Sequence, residues 1–330
     1  PLVLGLFLSG MVSAVPALLY ALLLWWCDRY EREPLGLVAA AFLWGAGPAA
    51  VLALVAEALL DLPLARLAPG LAGQVASVSA AAPLVEEAVK ALALVALLCF
   101  RTRELDDVLD GIVYGGLVGF GFAMTENFLY FLGAFVSAGL GHWMLVVLMR
   151  GVVFGLNHAF FSAFAGAGLG LARQRGLRPG DLAFAVAGYL LAVAFHALHN
   201  LGTTLSAATP WALFLSLLGD GGGVLVILAT LVLALRRERQ WIATELEPEV
   251  GQTLNPDEYA FLLSRGRLGS RLPSPFGGRA GARRADLLTE LAFRKAEARA
   301  AGRDPAQAPQ VLALRRRLAD QPDPQARPAS

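Results

Sequence analysis

Charge is scarce in this chain. Asp, Glu, Lys and Arg make up 16% of its 330 residues, while 57% are hydrophobic. Soluble domains carry about a quarter charged residues, so the composition excludes an ordinary soluble domain and indicates a polytopic membrane protein. Cysteine is nearly absent. Cys27 and Cys99 fall at predicted cytoplasmic ends of apolar stretches, which favours reduced packing thiols over a disulfide. No HExxH occurs, so no local motif demands zinc. No basic residue precedes the first apolar stretch, which gives no support to a cleaved signal peptide with a basic leader. No internal repeat is evident. The net charge of +1 carries no signal for nucleic acid, and none is expected as a partner.

What is present is apolar length. Seven stretches match the roughly 20 residues that cross a bilayer as a helix: Leu2–Trp26, Leu35–Leu60, Val75–Phe100, Val108–Leu132, Trp143–Leu171, Leu182–Leu205 and Trp211–Leu235. Arginine collects in alternate loops, at Arg29 and Arg32, Arg101 and Arg103, Arg173, Arg175 and Arg178, and Arg236, Arg237 and Arg239; the opposite loops hold only Arg66. Basic loops stay cytoplasmic, so the N-terminus is expected outside and the C-terminal tail inside. The fold expected is all-α: a transmembrane bundle of about seven spans over 1–236, and a basic cytoplasmic tail over 237–330. In the tail, residues 264–284 read as a flexible linker. Leu287, Leu288, Leu291 and Phe293 mark an amphipathic helix, 311–320 a second short one, and 321–330 a disordered end.

The unusual residues are the polar ones inside the apolar stretches. The third carries Glu86, Glu87 and Lys90; the fourth Glu126 and Asn127; the fifth Arg150, Asn157 and His158; the sixth His196, His199 and Asn200. Each ionisable group at such depth costs a few kcal/mol or more and marks function by default. With the expected orientation, Glu86, Glu126, His158 and His196 lie roughly 10–22 Å below the outer surface at 1.5 Å per residue, so one shared site is expected. Glu86 and Lys90 are i,i+4 and face each other. Glu86 and Glu87 diverge by about 100° on the helix, so both are not expected to point fully at one centre. Gly111, Gly115 and Gly119 leave a smooth face for a neighbouring helix.

These groups suit the activation of water. A glutamate forced against a second carboxylate is a candidate general base. Alternatively, His158 and His196 with a carboxylate hold zinc. Asn200 and His196 are placed to support a tetrahedral oxyanion. Arg150 more naturally braces a carboxylate, Glu126 among them. A proton-coupled transporter is the alternative, because buried Glu and His also build proton relays. A catalytically dead scaffold is the third class.

Five segments in order resemble the PrsW family of intramembrane proteases, relatives of the CAAX prenyl endopeptidase and Abi superfamily. They are DRYEREPLG, PLVEEAVK, DGIVYGGLVGFGFAMTENFLYF, RGVVFGLNHAFFSAFAGAGLG and HALHN, which together span Asp28 to Asn200. The resemblance implies cleavage of a single-pass membrane protein, such as an anti-sigma factor, in a bacterial inner membrane. It implies Glu86, Glu87, Glu126, His158 and His196 as catalytic residues, with Lys90, Asn127, Arg150 and Asn200 in support. His158 and His196 are the metal ligands if zinc is used. His199 stands where the family commonly has an aromatic residue and is left unassigned.

Overall fold

The computed structural model describes residues 2–28, 30, 32–67, 70–101, 104–265 and 273–320. Arg29, Arg103, part of the expected linker and the whole expected disordered end at 321–330 lie outside the described residues. The chain is an all-α membrane protein, and among the described residues no strand forms. It divides into two compact units. One holds Pro1–Cys27 and Glu33–Leu231; the other holds Asp28–Arg32 and Val232–Ser330.

The first unit begins with α1 (Leu2–Cys27), α2 (Leu35–Trp44) and α3 (Ala50–Leu67), the last two joined by a π-helical turn over Gly45–Ala49. A second such turn, Ser77–Ala81, joins α4 (Leu71–Ala76) to α5 (Ala82–Phe100). Proline explains both turns. Pro48 lies in the first and Pro83 just after the second. Each lacks an N–H and crowds the carbonyl four residues back, which a widened turn relieves.

Helix α6 (Val108–Val147) starts from a capping box. Asp107 accepts from the N–H groups of Leu109 and Asp110, and Asp110 accepts from that of Asp107. Those two carboxylates therefore satisfy the helix's orphan donors. At Gly139 the backbone leaves helical geometry with φ 76°, a value that suits only glycine comfortably. A π-helical stretch, Leu148–Val153, leads to a break, and α7 (Asn157–Gln174) follows. The expected span Trp143–Leu171 is thus not one helix. Its apolar composition hides a backbone break over Phe154–Leu156.

The glycine face of α6 meets α7 backbone to backbone. A Cβ on Gly111 would lie 2.1 Å from the Gly166 carbonyl oxygen, on Gly115 2.4 Å from that of Ser162, and on Gly119 2.2 Å from that of His158. The register runs in opposite directions on the two helices, so they are antiparallel. Helices α8 (Leu182–Leu205) and α9 (Leu213–Leu246) follow.

Among the described residues, five runs are long and apolar enough to cross a membrane. One of them, Val108–Gln174, has 67 residues, far more than the roughly 20 of a single crossing, and it turns back on itself at Gly139. Helix α5 falls outside the five because Glu86, Glu87 and Lys90 interrupt its apolar face. That accounts for the difference from seven expected stretches. Cys27 and Cys99 are free thiols.

The second unit contains the end of α9 with α10 (Pro256–Arg265), α11 (Gly278–Ala300) and α12 (Pro309–Ala319). Residues 278–284, expected in the linker, are the first turns of α11. Ile242, Leu246, Leu288, Leu291 and Val311 are fully enclosed in its core, and so is Tyr30 at 2% exposure. A buried ion network ties the helices together. Glu249 Oε1 lies 2.8 Å from Lys295 Nζ and 2.6 Å from Arg315, and Thr253 donates to Oε2 at 2.7 Å.

Burial disfavours the ionised form of Glu249, but the hydrogen bonds from Arg315, Lys295 and Thr253 outweigh it and hold the carboxyl at about 2, below its ordinary 4.5. Its stabilising contribution is therefore complete above pH 4.5 and is lost as pH falls through about 2. Glu249→Gln is expected to lower the thermal midpoint of this unit by about 5 °C at neutral pH. The difference from wild type should shrink below pH 4.5. A midpoint difference as large at pH 3 as at pH 7, about unchanged, would contradict this assignment.

Candidate active site

The polar groups of α5, α6, α7 and α8 meet in one buried cluster. Lys90 is its hub, at 1% exposure. Its Nζ donates to Glu86 Oε2 at 3.2 Å and Glu87 Oε1 at 2.8 Å, lies 3.0 Å from His158 Nδ1, and sits 3.9 Å over the Phe122 ring. Lys90 thus joins the two glutamates although they diverge by about 100° around the helix. The reason is reach: a lysine one turn on spans both directions.

Glu87 is held on three sides. Besides Lys90, its Oε1 lies 3.0 Å from His196 Nδ1, and Ser162 Oγ donates to its Oε2 at 3.1 Å. Phe161 stacks on the His196 ring with centroids 4.6 Å apart. On the other side, Glu126 Oε2 lies 2.6 Å from His158 Nε2 and 2.7 Å from the Arg150 guanidinium. Arg150 Nε donates to Asn127 Oδ1 at 3.0 Å, and its guanidinium lies 3.8 Å over the Tyr130 ring. Arg150 belongs to the π-helical stretch before the break, which brings it back beside Glu126.

Glu86, His158 and His196 each present a donor atom within 4.8 Å of the others. Glu86 Oε2 is 3.9 Å from both His158 Nδ1 and His196 Nε2. Two imidazoles and a carboxylate are a ligand set typical of hydrolytic zinc sites. The outer contacts fit as well. Each ring turns its other nitrogen to a carboxylate, His196 to Glu87 and His158 to Glu126, the pattern that fixes tautomer and orientation around metals. The residues present therefore fit a divalent ion, which would take the place of the Lys90 contact to His158 Nδ1. The sequence pointed to the two histidines with an unspecified carboxylate, and the carboxylate grouped with them is Glu86.

A cavity of about 460 Å³ opens beside this cluster, lined by Glu86, Glu126, Glu57, Phe122, Thr125 and Tyr130 among others. Glu87 and Lys90 are not part of its wall. Three carboxylates thus border this space, Glu57, Glu86 and Glu126; of these Glu86 and Glu126 belong to the buried cluster, and Glu87 anchors behind them.

Asn200 does not join the cluster. Its Nδ2 donates to the Val78 carbonyl at 2.8 Å, so it ties α8 to the π-helical turn before α5. One of its two amide N–H groups is thereby used, and no bond from Asn200 to the cluster accompanies it among the described residues. Sequence reasoning missed Ser162, because hydroxyls are frequent in membrane helices and carry little signal. It also missed the ring of Phe122 under Lys90, which no spacing rule indicates.

The sequence pattern of a family described as "PrsW family intramembrane metalloprotease" matches residues 33–235. Protease PrsW of Geobacillus kaustophilus (strain HTA426) is 32% identical over 170 residues, covering 51% of this chain and 67% of that protein. Protease PrsW of Clostridioides difficile (strain 630) is 35% identical over 103 residues, covering 31% of this chain and 42% of that protein. No solved structure matches. The matched stretch contains every residue of the buried cluster, and the chain belongs to the PrsW family of intramembrane metalloproteases.

Proposed function

We propose that this protease hydrolyses a peptide bond of a single-pass membrane protein, such as an anti-sigma factor, with the cluster around Lys90 as its active site. The observation that carries the reading is the meeting of Glu86, His158 and His196 beside a cavity, each imidazole backed by a carboxylate. Zinc is the divalent ion this donor set fits best. Held by Glu86, His158 and His196, it would supply Lewis acidity and lower the pKa of water to about 7.

The chain's own groups do the rest. Glu87 holds His196 by Nδ1 and leaves Nε2 facing the cluster. Glu126 holds His158 by Nε2 in the same way. Glu126 also borders the cavity; with Oε2 engaged by His158 and Arg150, Oε1 is the atom assigned to take a proton from water there. The same carboxyl is placed to return that proton to the leaving amine. Lys90 pairs with both Glu86 and Glu87 and offsets one of their two charges, which lets adjacent carboxylates coexist away from bulk water. The loop arginines support an inner-membrane orientation with the N-terminus outside and the second unit in the cytoplasm.

The test is metal removal. Purified protein is expected to carry a zinc ion per chain, and His158→Ala and His196→Ala to lose it by elemental analysis. A chelator should stop cleavage of a single-pass reporter in lipid vesicles, and added zinc should restore it. A metal-free preparation that cuts at the untreated rate rejects the zinc assignment and leaves a glutamate-only hydrolysis.

A further inference from the structure

A second polar cluster lies behind the first, and the chemistry above does not use it. His199 Nδ1 lies 2.8 Å from Asp220 Oδ2 of α9. The amide Nδ2 of Asn157 rests on the same ring, 3.0 Å from Nδ1 and 3.4 Å from Nε2. All three residues are buried. Ser216 Oγ of α9 donates to the His199 carbonyl at 2.7 Å, which fixes the ring's backbone. Packing alone is a poor account of this group. A carboxylate and an imidazole within apolar helices are expensive to keep, and Asp220 Oδ1 is buried with no hydrogen-bond partner among the described residues.

The place of Asn157 gives the cluster a use. It is the first residue of α7 and the neighbour of His158. Helix α7 starts straight after the break at Phe154–Leu156, and Leu156 at its N-cap supplies no side-chain hydrogen bond. The first turn therefore lacks the usual fixture for its orphan donors. In its place, the Asn157 amide donates to His199, to Nε2 at 3.4 Å when Nδ1–H donates to Asp220 at 2.8 Å.

We propose that Asp220, His199 and Asn157 form a positioning chain that sets the first turn of α7 and thereby the place of His158. This rests on the protease reading. The chain acts through His158 and touches no reacting atom, so its members are positioning residues.

Asp220→Ala is expected to lower kcat on the membrane reporter by about tenfold, with KM changed by no more than about twofold. Asp220→Asn keeps an acceptor for the ring N–H and should recover most of the rate. His199→Phe combined with Asp220→Ala should cost little more than either alone, since one link broken twice is still one broken link. Amide hydrogen exchange over residues 155–160 reads the same clamp without any substrate, and should rise about tenfold in Asp220→Ala. Unchanged exchange there overturns the proposal. So does a normal kcat for Asp220→Ala in an enzyme that Glu86→Gln inactivates, and that result leaves the protease reading intact. A wild-type protein that cuts no reporter overturns the protease reading, and the positioning inference with it.

Discussion

Glu86→Gln protein should cut a membrane-tethered reporter about a thousandfold more slowly than wild type, a barrier rise of about 4 kcal/mol. Glu86 borders the cavity and stands 3.9 Å from a nitrogen of each imidazole. The amide keeps its size but loses the negative charge that either a metal or a proton would need. The fold should survive, because Lys90 retains Glu87 at 2.8 Å and the local charge becomes balanced one to one. Glu87→Gln is expected to be milder, about 10- to 100-fold, since Glu87 acts by orienting His196. Rates from initial velocities, with thermal midpoints to verify folding, decide between these roles. Equal losses in the two variants would reject the distinction between facing group and anchor. Full activity in Glu86→Gln would reject the active-site assignment itself.

The second large effect is expected from a methyl group. A Cβ on Gly119 would sit 2.2 Å from the His158 carbonyl oxygen and 2.6 Å from the Ala159 Cα. Ordinary C···O contacts are about 3.3–3.6 Å, so Gly119→Ala must push α7 away by about 1 Å. The atoms in the way are backbone and have no rotamer to retreat to. A misplacement of that size at a reacting group costs about a hundredfold in rate. Loss of close helix packing should also destabilise by about 1–3 kcal/mol. Gly141→Ala is the control, because a Cβ there meets nothing within 4 Å. Cleavage rate and thermal midpoint should both be near wild type for Gly141→Ala and both fall for Gly119→Ala. A fully active Gly119→Ala enzyme would show that the α6–α7 contact does not set His158.

The glutamates, their lysine and the two histidines were legible because membrane burial makes charge conspicuous. Each ionisable group in an apolar run is a signal against a quiet background, and helical spacing then limits which can meet. The glycine face of α6 was legible for a related reason: a four-residue repeat of the smallest residue has one obvious packing use. What spacing could not supply was side-chain reach and backbone irregularity. Lys90 joins both glutamates because its four-carbon stem ignores the angle between them. Asn200 shares a helix with His196, yet it is taken by the Val78 carbonyl, a partner no local pattern indicates. The break at Phe154–Leu156 is written in residues as apolar as their neighbours. In the second unit, the enclosed leucines are dispersed among arginines and glutamates. A stretch such as 256–265 therefore drew no element of its own from the sequence, while its Leu262 is fully enclosed.

Tyr30 has a consequence for the order of events in synthesis. It belongs to the loop after the first helix, yet its ring is enclosed with Ile242, Leu291 and Val311. During translation that ring emerges long before the segments that will cover it, and it must wait uncovered while the intervening membrane helices are made. Closure of this late, non-local contact is slow by nature and leaves an apolar surface open in the meantime. A nascent chain stopped before residue 232 would carry Tyr30 permanently bare. Cover for a residue just after the first helix is thus supplied by the last helices made, and deleting α11 and α12 is expected to expose the Tyr30 ring.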